Sequence, residues 1–163
     1  MVSILKVNTI QDATNSNTAI SVDSSGRVTL PQRIAFMGKK TDTTTLSASS
    51  STNVTFNATD LAHASWNGTT FTAPIAGVYR FYVNGHKQSL DANPIELGIF
   101  KNGSQFETGY GLSSSSIRTR VSAEAVIELA VNDTITFRVL QGDTYAGGSS
   151  NSSGLMCAGH FIG

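Results

Sequence analysis

The residue types that could carry chemistry in this sequence are three histidines, one cysteine and a few carboxylates. Imidazoles bind zinc or serve as general bases when they are closely spaced, as in His-x-His or HExxH. The histidines show no such spacing, since they are His63, His86 and His160. A nucleophilic cysteine needs an exposed thiol of lowered pKa, whereas Cys157 occupies an inward position of the last predicted strand. These residues therefore predict neither a metal site nor a nucleophile.

Paired carboxylates are the other arrangement that could support catalysis, because two of them about 5–10 Å apart hydrolyse glycosidic bonds. Glu124 and Glu128 are separated by about 13 Å along one predicted strand, and Glu96 belongs to another strand. Such residues are typical of a solvated strand face. The sequence also lacks a glycine-rich phosphate loop that opens a helix. We therefore expect no catalytic, cofactor or metal site, and the protein not to be an enzyme.

The charge and the length of the chain restrict the kinds of partner that it could bind. The 163 residues include eleven basic and eleven acidic side chains, and the Lys and Arg residues are scattered. This distribution argues against binding to nucleic acid or to an anionic membrane. No run approaches the roughly 20 apolar residues that span a bilayer, and the N-terminal apolar run is too short for a signal peptide. We expect the protein to be made and kept in a cytoplasm, or released by lysis.

The elements that must position any binding residue are short strands. Charged residues make up only 13% of the chain, and Ser, Thr, Asn and Gly are abundant, which is typical of strands joined by polar turns. From Arg33 onward apolar runs recur at steady spacing, and the segment closest to a helix, "AEAVIELAV" (123–131), contains β-branched residues. Many short strands without helical patterns predict an all-β sandwich or barrel.

The alternation of apolar and polar residues predicts which side chains form the core of this fold. In the long strands, apolar residues fall on one parity, as expected when one face is buried. The polar parity carries Glu96, Glu124, Glu128, Thr134, Thr136 and Arg138. The predicted core set is Tyr79, Phe81, Val83, Ile95, Leu97, Ile99, Ala125, Ile127, Leu129, Val131, Ile135, Phe137, Val139, Leu155, Cys157 and Phe161.

The stretch "GVYRFYV" (77–83) departs from this rule because it is apolar on both parities. If Tyr79, Phe81 and Val83 face the core, Val78 and Tyr82 point outward. Two apolar residues on a surface need no special explanation. Alternatively, a subunit contact covers the second face, since aromatic residues are enriched in interfaces. The residues alone leave both alternatives open.

Residues 1–32 differ from the rest of the chain. "TAISVDSSGRVTL" (18–30) predicts a β-hairpin whose turn carries Gly26, and Pro31 ends its second strand. An isolated hairpin is only marginally stable in water. The segment must therefore pack across subunits or on another protein. We interpret it as an attachment or stem segment ahead of a domain over residues 33–163.

Four stretches follow one another in an order that resembles the globular head of complement C1q and its relatives, the tumour-necrosis-factor-like jelly rolls. They are "WNGTTFTAPIAGVYRFYV" (66–83), "IELGIFKNGSQ" (95–105), "AEAVIELAVNDTITFRV" (123–139) and "GLMCAGHFIG" (154–163). The resemblance implies a jelly-roll sandwich of about ten strands that forms a tight trimer. It also implies that an aromatic-rich strand packs around the three-fold axis, through residues drawn from Val78, Tyr79, Phe81 and Tyr82.

Two features of that family have no counterpart in this sequence. Family members often carry calcium near the apex of the trimer, and calcium takes six to eight oxygen ligands. The aspartates of residues 33–163 are instead dispersed, at Asp42, Asp60, Asp91, Asp133 and Asp143. A collagen-like glycine repeat, which precedes many such heads, is missing as well. These departures argue against a calcium site and a complement-like role, but leave the expected fold unchanged.

The N-terminal stretch "LKVNTIQDATNSNTAISVDSSGRVTLPQRIAF" (5–36) is similar to a short module in tail-fibre and other appendage proteins of tailed phages. This resemblance implies a homotrimeric virion protein, assembled in the host cytoplasm, whose N-terminal segment contacts other virion proteins. The head would serve host-surface adhesion or particle decoration. The alternatives are a purely structural capsid or fibre cap without a receptor, and a bacterial or secreted lectin-like module.

Two polar loops, "GLSSSSIRTR" (111–120) and "GDTYAGGSSNSSG" (142–154), are where we expect ligand binding, since rigid scaffolds present binding residues on loops. Tyr110 and Tyr145 lie near glycines and could stack on the sugar rings of a host cell-surface glycan. The alternative is that both tyrosines pack locally in polar surface loops. Three weak sites on one trimer would reinforce each other through avidity.

Overall fold

The computed structural model describes residues 7–42, 45–47, 53–87, 92–112, 116, 119–145 and 154–163, with the backbone alone for residues 45, 47 and 143–145. Every regular element of these residues is a β-strand, which confirms the predicted all-β class. The chain divides into two compact units, residues 1–34 and 35–163. The strands are β1 (Thr9–Gln11), β2 (Thr18–Val22), β3 (Val28–Thr29), β4 (Ala35–Lys40), β5 (Thr45–Ser47), β6 (Ala58–Leu61), β7 (Thr70–Thr72), β8 (Gly77–His86), β9 (Ile95–Lys101), β10 (Ser104–Gly111), β11 (Arg120–Leu129), β12 (Thr134–Gln141), β13 (Asp143–Tyr145) and β14 (Leu155–Phe161).

The first unit contains a three-stranded antiparallel sheet in which β2 lies between β1 and β3. Strands β2 and β3 form the predicted hairpin. Its turn contains Gly26 at a φ of 78°, a value that glycine adopts without strain. Asp23 fixes the turn because its Oδ1 accepts hydrogen bonds from the amides of Ser25 and Arg27, both at 2.9 Å. Strand β1 adds a third strand to the hairpin.

The second unit is a β-sandwich. One sheet has five strands in the order β11-β8-β14-β4-β6, and the other has four in the order β10-β9-β12-β7. Strand β5 pairs with β13. The described strand pairs are antiparallel, and neighbours such as β4 and β14 are far apart in sequence. This connectivity confirms the predicted jelly roll of about ten strands.

The core lies between the two sheets because side chains alternate across each strand. In β11 every second residue from Val121 to Leu129 is buried, and the residues between them are exposed. Aromatic rings fill the centre, where Phe36 stacks on Trp66 with ring centroids 4.3 Å apart. A Cβ at Gly159 would come within 2.6 Å of both Phe36 and Phe81, so only glycine fits beneath these rings.

The sandwich closes where β10 and β11, the edge strands of the two sheets, approach each other. A Cβ at Gly109 would lie 1.9 Å from the carbonyl oxygen of Ser122. No other residue type leaves room for this backbone contact. Gly109 therefore fixes how close the two edges come.

Two turns meet at one end of the sandwich. Asn102 (φ 50°) lies between β9 and β10, and Asn132 (φ 70°) lies in the predicted turn between β11 and β12. Asp133 joins them, because its carboxylate accepts hydrogen bonds from Asn102 Nδ2 (2.7 Å) and the Ala130 amide (2.9 Å) and pairs with Lys101 Nζ (3.0 Å). These contacts hold the pKa of Asp133 at about 2, below its ordinary 3.8.

Three residues differ from the predicted pattern. Val131 was expected in the core, but it is exposed because β11 ends at Leu129 and residues 130–133 form the turn. Thr136 was expected in water, but it is buried on the outer side of its sheet, where its cross-strand neighbour is the ring of Phe100. Phe161 is half-buried at the end of β14 and packs edge-on against Tyr79.

Candidate functional site

The outer side of the five-stranded sheet carries the first candidate site. Its side chains alternate with the core residues of β8, β11, β14 and β4, and most of them are half-buried. We call this surface the Tyr82 face. Its residues are Ala35, Met37, Lys39, Val78, Arg80, Tyr82, Asn84, Glu124, Val126, Met156, Ala158 and His160.

An apolar row crosses the middle of the Tyr82 face. Tyr82 pairs with Ala158, Ala158 pairs with Met37, and Met37 pairs with Leu61 in the strand register. Glu124 lies opposite Tyr82 and ends the row on β11, and Arg80 and Asn84 flank Tyr82 on β8. The Arg80 guanidinium contacts Glu124 Oε1 at 2.7 Å, and Asn84 Nδ2 donates to the Tyr82 hydroxyl at 3.0 Å. The centre of this face is therefore apolar and has only a short side chain at Ala158.

Tyr79 and Phe81 point to the other side of the same strand. Both are completely buried in the core, where Tyr79 donates a hydrogen bond from its hydroxyl to the Ile75 carbonyl at 2.7 Å. Burial raises the pKa of Tyr79 above its ordinary value. Their side chains pack on Phe71 within their own chain. Of the four residues named for a subunit contact, Val78 and Tyr82 therefore remain on the outer surface.

The outer side of the four-stranded sheet carries the second candidate site, which we call the Tyr110 face. Its residues are Glu96, Gly98, Phe100, Thr108, Tyr110, Thr136, Arg138 and Gln141. Tyr110 is 58% exposed and pairs across the strands with Glu96, which in turn pairs with the exposed Gln141. An aromatic ring beside a carboxylate and an amide can stack on a ring of a ligand and exchange hydrogen bonds with its hydroxyls.

The rest of the Tyr110 face is covered by its own side chains. The Arg138 guanidinium lies over the Phe100 ring, 4.1 Å from its centroid, and Arg138 Nε donates to Asn53 Oδ1 at 2.8 Å. Gly98 lies beneath them, since a Cβ there would meet Phe100 and Leu140 within 3 Å. Phe100 is thus buried although it belongs to the outward parity.

Tyr145, the second predicted ligand residue, ends β13, and that strand pairs with β5. Its side chain lies outside the described part of the structure, as do residues 113–115, 117–118 and 146–153 of the two predicted loops. Tyr110 itself lies in strand β10, one residue before the first of these loops. Tyr110 is therefore an exposed residue of an edge strand and not of a loop.

The residues considered for catalysis or metal binding do not come together. His86 and Arg80 are six residues apart on β8, about 20 Å along the strand, and His160 lies opposite Arg80. Glu124 and Glu96 lie on opposite outer faces of the sandwich. Cys157 is buried, and burial raises the pKa of its thiol. Among the described residues, no group of three or more His, Cys, Asp or Glu side chains could hold a metal ion.

The comparisons with known proteins agree with this geometry. A profile described as the C1q domain matches residues 35–162. The chain belongs to the C1q domain family. Domains of this kind are generally non-enzymatic binding modules. Within the described residues of this C1q domain protein, no helix has the length and apolarity that a membrane crossing requires.

Solved structures share the fold of this C1q domain. The globular domain of zebrafish complement 1qA is 19% identical, with a TM-score of 0.60, over 79% of this chain and 97% of its own. Murine APRIL is 13% identical, with a TM-score of 0.59, over 80% and 99%. Eiger TNF from S. frugiperda is 12% identical, with a TM-score of 0.62, over 81% and 94%. A search of curated proteins finds no match.

Sequence reasoning missed the partners of Tyr110. The register of β10, β9 and β12 brings Glu96 and Gln141 into its row, although they are 14 and 31 residues away along the chain. The pairing of Arg138 with Phe100 was also missed. A signal for it existed, because Phe100 interrupts the alternation of β9 with an aromatic residue on the outward parity.

Proposed function

We propose that this C1q domain forms a homotrimer through the Tyr82 face. Domains of the family typically form homotrimers. The observation that carries the proposal is the apolar row from Tyr82 through Ala158 to Met37, which crosses three neighbouring strands. An isolated chain leaves that row partly in water, whereas a subunit contact removes it from water.

The composition of the face suits close packing between subunits. Ala158 presents little bulk, so another chain can approach the sheet at its centre. Met37 and Met156 are flexible side chains that fill irregular gaps. Charged residues such as Lys39, Arg80 and Glu124 flank the row and form the polar rim that interfaces typically have. This arrangement accounts for the two-sided apolar pattern of β8.

Light scattering of the full-length protein tests the assembly. The expected mass is three times the 17.2 kDa of one chain, and it stays constant on dilution through the micromolar range. A mass of one chain at every concentration would overturn the proposal. A stable dimer would overturn it equally, because a two-fold contact uses a different geometry.

We propose further that the protein is a non-enzymatic virion structural protein of a tailed phage. The trimeric head would bind a glycan of the host surface through the Tyr110 face. The phage-like N-terminal stretch supports the setting, and the row of Tyr110, Glu96 and Gln141 supports the ligand class. Three such sites on one trimer would multiply a weak affinity on a repetitive surface.

Glycan-array binding of fluorescently labelled full-length protein tests the ligand. We expect binding that Tyr110→Ala abolishes and Phe106→Ala leaves intact. Phe106 is the matched control because it lies on the same strand and is 50% exposed, but sits at a bulge away from the row. Equal binding by both variants would remove the Tyr110 face as the site, and a blank array would favour decoration.

Antibody labelling of purified phage particles that encode this chain tests the setting. Labelling at fibre ends is expected for adhesion, and labelling restricted to the capsid would assign the protein to decoration. Particles that carry no label, while lysate does, would overturn the virion role and favour a lectin-like module of the bacterium.

A further inference from the structure

The sheet of the N-terminal unit has two chemically different faces. The pairs Ile10–Ile20 and Val22–Val28 place four aliphatic side chains on one face, and Leu30 continues the same parity beyond β3. The other face carries Thr9, Ser21 and Thr29, and the hydroxyls of Ser21 and Thr29 are hydrogen-bonded at 2.5 Å. We call the aliphatic side the Val28 face. Its outermost members are well exposed, at 64% for Val28, 55% for Leu30 and 47% for Ile10.

A unit of this size needs help from outside its own sequence. Chains below about 40 residues usually depend on disulfides, metals or oligomerisation for stability. The only cysteine is Cys157, so residues 1–34 contain none. Among the described residues, no metal-binding group of side chains exists. Of these three means, oligomerisation is the one that would also cover the Val28 face.

Three charged side chains of the unit, Asp12, Asp23 and Arg27, are engaged in contacts within the unit. Asp23 pairs with Arg27 at 2.6 Å within the hairpin turn. Asp12 accepts hydrogen bonds from the amides of Thr14 and Asn15, both at 2.7 Å, and these bonds lower its pKa. The Val28 face itself is built from aliphatic side chains, and such a face suits identical copies of itself.

We infer that the Val28 faces of three chains of one trimer pack against each other. This inference rests on the proposed trimer of the C1q domain. Only residues 30–34 separate β3 from β4, a span of at most about 20 Å. Ala35, the first residue of β4, lies on the Tyr82 face, so each N-terminal unit is tethered to a strand of the proposed subunit contact.

Tethering makes this packing favourable even when each contact is weak. Units held by short linkers on one trimer meet at an effective concentration in the millimolar range. Three sheets with one aliphatic face each enclose an apolar centre and turn their Thr and Ser faces to water. The N-terminal segment thus becomes a three-chain stem, and its outer face and end stay free for other virion proteins.

Cysteine cross-linking of the full-length protein tests the stem. Val28→Cys places a thiol on the Val28 face, and Thr29→Cys places one on the opposite face of the same strand. Ile10→Cys and Thr9→Cys form a second pair on β1, in case one substitution disturbs the hairpin. The native thiol of Cys157 is buried and serves as an internal blank. Each protein is treated with a short bis-maleimide at low concentration and run on a denaturing gel.

We expect two-chain products from the Val28→Cys and Ile10→Cys proteins at about tenfold the yield of their controls. Equal yields from both faces, or none from Val28→Cys and Ile10→Cys in a protein of three-chain mass, would overturn the stem and leave the trimer intact. A one-chain mass by light scattering would instead show that the trimer itself, and with it the stem, is wrong.

Discussion

The two outer faces of the sandwich differ in how their apolar side chains are shielded from water. Both carry apolar residues on the parity that ordinarily faces water. On the Tyr110 face, Phe100 is buried by its own chain, because Arg138 lies over its ring and Gly98 makes room beneath. On the Tyr82 face, no comparable cover exists among the described residues, and Tyr82, Met37 and Met156 stay half-exposed.

This difference shows that an apolar residue on the outer parity can have either of two roles. Phe100 contributes to the stability of one chain, whereas Tyr82 is available to another chain. The stretch that contains each residue does not distinguish the two cases. The distinction depends on what the neighbouring strands bring to the same row, such as a guanidinium beside Phe100 and a small alanine beside Tyr82.

The largest expected effect comes from a charge at the centre of the Tyr82 face. In Ala158→Glu, a carboxylate would be buried without a partner between subunits, at a cost of about 3–5 kcal/mol. This cost corresponds to a loss of assembly affinity of at least about a hundredfold. Light scattering should therefore report one-chain mass. Thr108→Glu, on the Tyr110 face, should keep the wild-type mass, and dissociation of both variants would contradict the comparison.

A second prediction distinguishes the stability of one chain from assembly between chains by truncating one aromatic ring on each face. Phe100→Ala should destabilise the chain by about 3 kcal/mol, because it opens a cavity under Arg138. The difference between its urea midpoint and that of the wild-type protein should not depend on the protein concentration. Tyr82→Ala should lower the midpoint mainly in dilute protein, where dissociation precedes unfolding. Circular dichroism measures both, and identical concentration dependence would refute the distinction.

A third prediction concerns the edge where the two sheets meet. Gly109→Ala forces a methyl group into the Ser122 carbonyl, which neither backbone can avoid, and overpacking of this kind costs about 1–3 kcal/mol. Gly98→Ala is the control, since its methyl group meets only the movable ends of Phe100 and Leu140. Thermal unfolding should show the larger drop for Gly109→Ala. The reverse order would contradict the close approach of β10 and β11.

Removing the cover of Phe100 without creating a cavity should have a smaller effect. Arg138→Gln deletes the cation–π contact, which is worth about 0.5–1 kcal/mol at exposed sites. The glutamine keeps part of the aliphatic stem over the ring. Urea unfolding should therefore show a shift well below that of Phe100→Ala, and a shift of equal size would mean that the guanidinium provides the whole cover.

The smallest effect at neutral pH is expected from Asp133→Asn, which acts on the turns that join both sheets. Because the folded pKa of Asp133 is lowered from 3.8 to about 2, its carboxylate stabilises the fold above pH 3.8, and this contribution is lost as the pH falls toward 2. The variant should be less stable than wild type at pH 7. Its unfolding temperature should change less between pH 4 and pH 2, and parallel pH profiles would contradict the assignment.

Much of the fold was predictable because burial of one strand face makes apolar and polar residues alternate in the sequence. The alternation in residues 121–129 identifies β11 and its core side, and Gly26 and Asn132 identify turns. The error at Val131 arose where alternation continues into a turn, so that period alone cannot locate the strand end. The turn contacts of Asp133 set that end instead.

The site was less predictable than the fold because it depends on register between distant strands. The sequence identified Tyr110 and Tyr82 as candidates. It could not show that Glu96 lies beside Tyr110 and that Ala158 lies beside Tyr82. The alternation of β8 had placed Tyr79 and Phe81 in the core and Tyr82 outside it, and the complete burial of the first two confirms this. The family resemblance alone had named all three as candidates for a subunit contact.

The stacking of Trp66 on Phe36 also gives the molecule an optical reporter. Trp66 is the single tryptophan of the chain, it is buried, and its indole Nε1 has no hydrogen-bond partner among the described residues. An indole in such dry surroundings emits at shorter wavelength than one in water. Its emission therefore follows the opening of the sandwich. Intrinsic fluorescence would thus report the unfolding of the C1q domain without a label, while cross-linking reports on the N-terminal unit.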